Sequence, residues 1–393
     1  MAMRLRVVES LDGIAAPEWN ALTAGDPFTS HEFLGALIET GCASRRTGWQ
    51  PQFLLLERGG RLAAAMPLYL KSHSYGEYVF DWAWAEAYER HGHAYYPKLL
   101  AAVPFTPVTG ARLLARTDAD RAALLEAALR MAREASSQVS SLHVLFPTAA
   151  EAALMQDAGM MLRRTVQFHW ENVRENGGYA DFDEFLSRMT RARRKNIRQE
   201  RRRVAEAGVA CRVLRGAQIG RAEWEFFERC YRRTYSAHRS RPYLSLDFFL
   251  RIGQTLGEHL VLILAERAGR PVAASLCVRA GDTLCGRYWG ALEHVPLLHF
   301  ECCYYRPIEY AIDERLARFE GGAQGEHKLW RGLMPVQTWS AHWLAHPGFA
   351  GAVEDYLRRE TAGVDRYVDE LNEHSPFKPR LPIIETSRGG VER

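Results

Sequence analysis

The stretch from Leu284 to Trp343 limits the fold more than any other part of the chain. It opens on a strand-like run, Leu284 to Ala291, rich in aromatics and carrying Gly290 near its end. Two more strand-like runs precede it, Leu260 to Glu266 and Val272 to Arg279. Turn signals at Gly269-Arg270-Pro271 and Gly281-Asp282 separate the three. Short apolar runs joined by tight turns predict an antiparallel meander. After a loop containing Pro296 comes a helical segment from about Cys302 to Arg318, with Tyr305, Ile308, Ile312 and Leu316 at helical spacing. A glycine-rich turn, Gly321 to Gly325, leads directly into Glu326, His327, Lys328 and Arg331. Adjacent acid, imidazole and ammonium groups suit proton transfer and anion binding. The same cluster also reads as a solvated turn. Trp330, Leu333 and Met334 interleave with the charges, however, and His299, Glu301 and Tyr304 precede and open the helix, from where they could face the same cleft.

At 393 residues the chain is too long for one ordinary core, which predicts two domains. We place them at 1–176 and 177–374, divided at the Asn176-Gly177-Gly178 break, with a loosely ordered proline-bearing tail at 375–393. A hydrophobic fraction of 47% and a charged fraction of 25% are those of a soluble globular protein. The net charge of +4 points to no partner by itself. Seven cysteines with no CxxC pair read as reduced thiols, and the N-terminus lacks the apolar run of a signal peptide. No apolar run is long enough to span a bilayer. The expectation is a cytoplasmic protein without a transmembrane segment.

The first half reads as a strand at Arg4 to Val8, helices at Pro17 to Leu22 and His31 to Thr40, and a hairpin from Gln52 to Lys71. A helix at Ala119 to Ala135, a strand at Ser141 to Phe146, a helix at Ala149 to Ala158 and a strand at Met161 to Trp170 follow. The second half begins with one long helix, Asp183 to Ala207, then a strand at Cys211 to Leu214. Helices at Glu223 to Tyr235 and Leu246 to Leu256 lead into the meander. A helix from about Ala352 to Leu371 closes the chain.

Three further groups carry chemistry. The helix SRMTRARRKNIRQERRR places Arg194, Lys195 and Arg198 on one basic face, and Arg193 interrupts its apolar stripe. Such a face holds phosphates or RNA, or is simply solvated. The segment Phe80 to Gly110 is aromatic and irregular. Its Trp82, Trp84, Tyr95, Tyr96 and Lys98 describe either the wall of a small-molecule pocket or a core with buried tryptophans. Arg287 and Trp289 in the RYWG run stand at a strand end where a glycine marks close backbone approach. GGAQG is not a dinucleotide loop, and the chain has no Walker loop, GxSxG elbow or HExxH, so no metal site is expected.

The runs YYPKLLAAVPFTPVTGARLL, HVLFP, QFHWEN, RKNIRQERRRV, GRYWGALE, LHFECCYY, EYAI and FEGGAQGEHKLWRG resemble the bacterial FemAB-like family of N-acyltransferases. That family is related to the Fem peptidoglycan aminoacyltransferases. The resemblance spans about Leu5 to Glu360 and implies an α+β fold: two tandem acetyltransferase-like (GNAT) domains with mixed, mostly antiparallel sheets flanked by helices. In that fold a splayed sheet receives the acyl donor, and a helix N-terminus takes a coenzyme A pyrophosphate. The loop Glu293 to Glu301 lacks the usual Arg/Gln-x-x-Gly-x-Gly/Ala pattern, whose literal match falls at Arg318 to Ala323. Fem-like enzymes take their acyl group from aminoacyl-tRNA, which the basic helix would suit.

The expected function is transfer of an acyl or aminoacyl group to an amine acceptor such as a cell-wall precursor. Acyl-CoA or aminoacyl-tRNA would be the co-substrate, with no tightly bound cofactor. His327 or Glu326 is the expected base, with Glu301 next, and Tyr304 would protonate the leaving group. Gln324, Lys328, Arg331, Arg287, Trp289 and the aromatic segment would bind substrate, and the basic helix would bind phosphates. Direct transfer is expected over a covalent intermediate. The alternative is a recognition protein that holds a peptidoglycan precursor or RNA in the same cleft without catalysis.

Overall fold

The computed structural model describes residues 3–172, 177–323 and 325–378. Its strands, in chain order, begin with β1 (Met3–Val8), β2 (Trp49–Pro51), β3 (Phe53–Arg58), β4 (Arg61–Met66) and β5 (Leu68–Lys71). Next come β6 (Lys98–Ala101), β7 (Leu114–Ala115), β8 (Ser141–Leu145), β9 (Met161–Glu171) and β10 (Val209–Arg215). The last are β11 (Leu260–Arg267), β12 (Arg270–Ala280), β13 (Thr283–Ala291), β14 (Arg318–Glu320) and β15 (Met334–Leu344).

Eleven of these strands form one sheet in the order β10-β11-β12-β13-β14-β9-β15-β8-β6-β5-β2, and β1-β3-β4-β7 form a second. The hairpin expected from Gln52 to Lys71 is present, but its return strand breaks at Pro67. Proline has no N–H for the ladder, and here the chain passes from the four-stranded to the eleven-stranded sheet.

Both halves repeat one plan. Strand, two helices and an antiparallel pair lead to a parallel pair bridged by a helix: β6 with β8 in the first half, β13 with β14 in the second. This is the expected pair of acetyltransferase-like units. They share the large sheet through their final strands. β9 pairs with β14 of the second half, β15 pairs with β8 of the first, and β9 and β15 pair antiparallel with each other. The last strand of each half therefore completes the other half.

Expectation and structure also differ along the helices. The long helix of the second half is two helices, Phe182–Arg188 and Arg191–Glu206. Met189 and Thr190 between them are extended because the Met189 side chain is fully buried in the second-half core. The aromatic segment contains a helix, Trp82–Arg90, and the strand β6. The helix after β13 starts earlier than expected, at Leu298, and runs to Asp313 through one π-helical turn at Glu301–Tyr305. Pro307 sits just beyond that turn. A proline ring clashes with the carbonyl four residues back and offers it no donor, so the helix widens there.

The second-half core, including Trp170, Phe185, Phe319 and Leu333, anchors β14 under this helix. Phe319 is fully buried, and truncating such a side chain to alanine costs about 3–5 kcal/mol.

Candidate active site

β13 and β14 pair only from Thr283 to Cys285 and from Arg318 to Glu320. β13 runs on to Ala291 bonded to β12 alone. Its far edge is therefore open in mid-sheet, and Gly286, Arg287, Tyr288 and Trp289 are only half-buried while Leu284 and Cys285 are buried. An unpaired strand edge leaves N–H and C=O groups without ladder partners. A ligand in the opening can use them.

The helix from Leu298 lies over this opening and brings its polar residues to the turn at Glu326–Arg331. The Tyr304 hydroxyl lies 3.0 Å from His327 Nε2. The His299 ring sits between Trp289 and Tyr304, with centroids 5.5 and 5.4 Å away, and 6.2 Å from the His327 ring. Gly325 precedes the turn at φ 103°, where a Cβ would lie 2.4 Å from the His327 ring. Only glycine fits there.

Burial, then the neighbouring His327, Lys328 and Arg331, pushes His299 down to about 4, and burial, Arg331 and Lys328 lower His327 as well. Both imidazoles are neutral at pH 7. Lys328 is buried, and its ammonium has no hydrogen-bond or ion-pair partner among the described residues; the Phe168 ring lies 6.0 Å away. Burial lowers it to about 8, with Cys303 opposing. An unpaired buried cation is costly unless a ligand completes it. Strong perturbation of several groups in one place marks a functional site. Cys303, next to Tyr304, is pushed up by burial, which keeps a thiol unreactive.

A family profile described as peptidoglycan biosynthesis/recognition, FemAB-like, matches residues 10–379. The chain belongs to the FemAB-like family. No curated protein matches it in sequence. Among solved structures it is similar to L-PGS from Bacillus licheniformis at 10% identity and a TM-score of 0.55, covering 92% of this chain and 99% of that one. FemX matches at 12% identity and a TM-score of 0.52, covering 90% and 100%. The C-terminal domain of a putative lysylphosphatidylglycerol synthetase from Agrobacterium fabrum matches at 10% and 0.52, covering 87% and 95%. At such identities the likeness is one of fold.

In this FemAB-like chain the expected site residues separate into groups. Tyr304, His327, Lys328 and Trp289 meet at the opening, and His299, given no role from sequence, joins them. Glu301 does not serve as a free base: its two oxygens accept from Arg201 at 3.0 and 3.1 Å. Arg331 is likewise held, by both oxygens of Glu200 at 2.9 and 2.8 Å and by the His327 carbonyl at 2.7 Å, and it stacks 3.4 Å over Phe300. It positions the His327 backbone rather than offering a free cation. Glu326 is exposed at the rim, accepting from Tyr367. Gln324 lies outside the described residues.

On the basic helix, Arg193 stacks 3.7 Å over Trp330 and Arg198 pairs with Asp183 at 2.7 Å. Lys195 is exposed, and Arg194 is half-buried near the Ser187 carbonyl. The stack ties this helix to the turn bearing His327.

The aromatic segment builds core for the most part, and its Tyr96 also borders a hollow away from β13. Lys98 is fully buried and donates to Ser74 and Glu77, both at 2.8 Å, and to Asp81. Tyr95 donates to Asp81 at 2.7 Å, and Tyr96 meets Ser74 at 2.8 Å. Trp84 is buried against His342, while Trp82 is exposed against Tyr75. Burial alone would lower Lys98 and raise Asp81. Contact with opposite charge reverses both shifts.

Two hollows lie elsewhere. One of about 610 Å³ sits between Asn20–Glu32 and Gly216–His259, and one of about 400 Å³ sits beside Tyr96 and His346. Neither wall carries a buried cation, so chemistry favours the opening at β13.

Proposed function

We propose that this protein is a transferase that moves an acyl or aminoacyl group from an activated carrier to an amine, with a cell-wall precursor as the acceptor. The observation that carries the proposal is the Tyr304–His327 hydrogen bond beside the unpaired Lys328 ammonium at the open edge of β13. The family description supports the same class, and one structure of shared fold is named a putative lysylphosphatidylglycerol synthetase.

The step needs three things. The attacking amine must lose a proton, the tetrahedral oxyanion needs a donor, and the leaving sulfur or oxygen must gain a proton. With His327 neutral, its Nε2 accepts from Tyr304. The amine's proton passes to the Tyr304 oxygen as the tyrosyl proton moves to His327. It returns the same way to the leaving group. The C–N bond forms, the C–S or C–O bond breaks, and no proton is lost. Lys328 stabilises the oxyanion. The thiol beside Tyr304, Cys303, is pushed up by burial, which favours direct transfer.

Calorimetry with acetyl-CoA, longer acyl-CoA species and charged tRNA tests the donor. Micromolar binding of a coenzyme A thioester supports the acyl-CoA form, and binding of charged tRNA alone supports the aminoacyl form. Binding of a peptidoglycan precursor with neither donor would move the reading to non-catalytic recognition.

A further inference from the structure

The opposite face of the same opening carries charges that the transfer step leaves unused. β12 and β13 lose register there: Cys277 faces Gly286 and Leu276 faces Tyr288, so Arg287 is the extra residue of a β-bulge. Bulges re-aim side chains and recur beside active sites. This one turns Arg287 and Tyr288 together toward Phe105, on the face carrying Cys285.

Arg287 is enclosed by protein, yet solvent still reaches it, as expected at the floor of a crevice. One terminal nitrogen donates to the Phe105 carbonyl at 2.7 Å and approaches the Tyr288 hydroxyl at 3.4 Å. Its Nε is buried with no partner, and no carboxylate pairs with it among the described residues. A buried guanidinium with free donors has a fork aimed at something absent from the chain itself.

The surroundings fit that purpose. Tyr78, held at φ 62°, and Tyr235 adjoin each other and Arg287. A tyrosine at positive φ is strained, and such strain collects at ligand sites. Across the opening the Glu320 carboxyl is buried with only long contacts, 3.8 Å to the Cys285 sulfur and 3.9 Å to His169 Nδ1.

We infer that Arg287, with Tyr78 and Tyr235, forms an anion subsite for the acceptor, which is an amine that also carries a carboxylate or phosphate group. The anion takes the guanidinium fork. The amine then lies toward Glu320 and the open edge of β13. This inference rests on the transfer reading for the identity of the ligand as acceptor, but anion binding itself does not.

The test uses the full chain and measures melting temperature against inorganic phosphate and against acetate, at constant ionic strength held with chloride. We expect saturable stabilisation by one of the two, weakened at least tenfold in Arg287→Lys and several-fold in Tyr78→Phe. Lysine keeps the charge but loses the fork, and Tyr78→Phe touches an exposed residue, so folding is preserved. Stabilisation by phosphate names a phosphorylated acceptor, and by acetate a carboxylated one. No saturable effect, or the same effect in both variants, overturns the subsite. A second arm compares glycine, O-phosphoethanolamine and ethanolamine as acceptors. Preference for an anionic amine that collapses in Arg287→Lys supports the inference. Anion binding with no acylation of any amine keeps the subsite and refutes the transfer reading.

Discussion

The Tyr304 hydroxyl stands 3.0 Å from His327 Nε2, across the gap between a helix and a turn 23 residues further along the chain. The π-helical turn at Glu301–Tyr305 sets the position of the first, and Gly325 leaves room for the second. If this pair relays the proton, Tyr304→Phe lowers kcat by about 10²–10⁴-fold, the usual range for a lost acid–base group. The donor KM should hardly move. Steady-state kinetics with an identified donor checks this.

Lys328 gives the pH dependence. Its pKa is lowered to about 8 by burial, so the charged form is present below that pH and lost as pH rises through it. Activity should therefore fall on the alkaline side near pH 8. Lys328→Arg keeps its charge in that range, and the limb should vanish even if the rate is lower. The acid limb should lie below the ordinary histidine value, because His327 and His299 are both held down. A pH–rate profile of both proteins decides the matter.

The buried charges of the first half predict a stability effect without a catalytic one. Asp81→Asn leaves Lys98 with one carboxylate in a fully buried place. Breaking a buried pair in this way costs about 3–5 kcal/mol. Trp82→Ala, at an exposed ring, should stay within about 0.5 kcal/mol. Urea unfolding of the two variants measures the contrast.

Gly290 is required by space. A Cβ there would lie 2.1 Å from the Cys230 carbonyl oxygen, a backbone atom of the helix Arg221–Ala237 packed on β13. Neither backbone can yield cheaply, so Gly290→Ala should destabilise by about 3 kcal/mol, the upper end of the usual cost of overpacking. Thermal unfolding would show it directly.

The meander, the helices flanking it and the polar turn were legible because periodicity and turn residues are local. The shared sheet was not. Nothing in Met161 to Trp170 says that β9 pairs with β14 as well as β15, since pairing partners are chosen by tertiary packing. The same limit applies to charge. Sequence shows that Glu301, Arg331 and Lys328 are near one another, yet only the fold reveals that Arg201 and Glu200 occupy the first two and leave the third unpaired. Arg287 stood out as a strand-end residue, but its bulge and its orphaned Nε depend on the register with β12. Aromatic density from Phe80 onward fitted pocket and core equally, and the buried Lys98 and Asp81 settle most of it as core.

The central claim is that an amine is acylated at the opening beside Lys328. The most direct measurement is single-turnover transfer from whichever donor binds, followed by mass spectrometry of the acceptor, in the natural protein and in Lys328→Met. The account predicts acylated amine and released carrier in equal amounts, with the variant slower by about 10²–10³-fold, as for loss of an oxyanion donor. Transfer at an undiminished rate in Lys328→Met, with the variant folded, would contradict it.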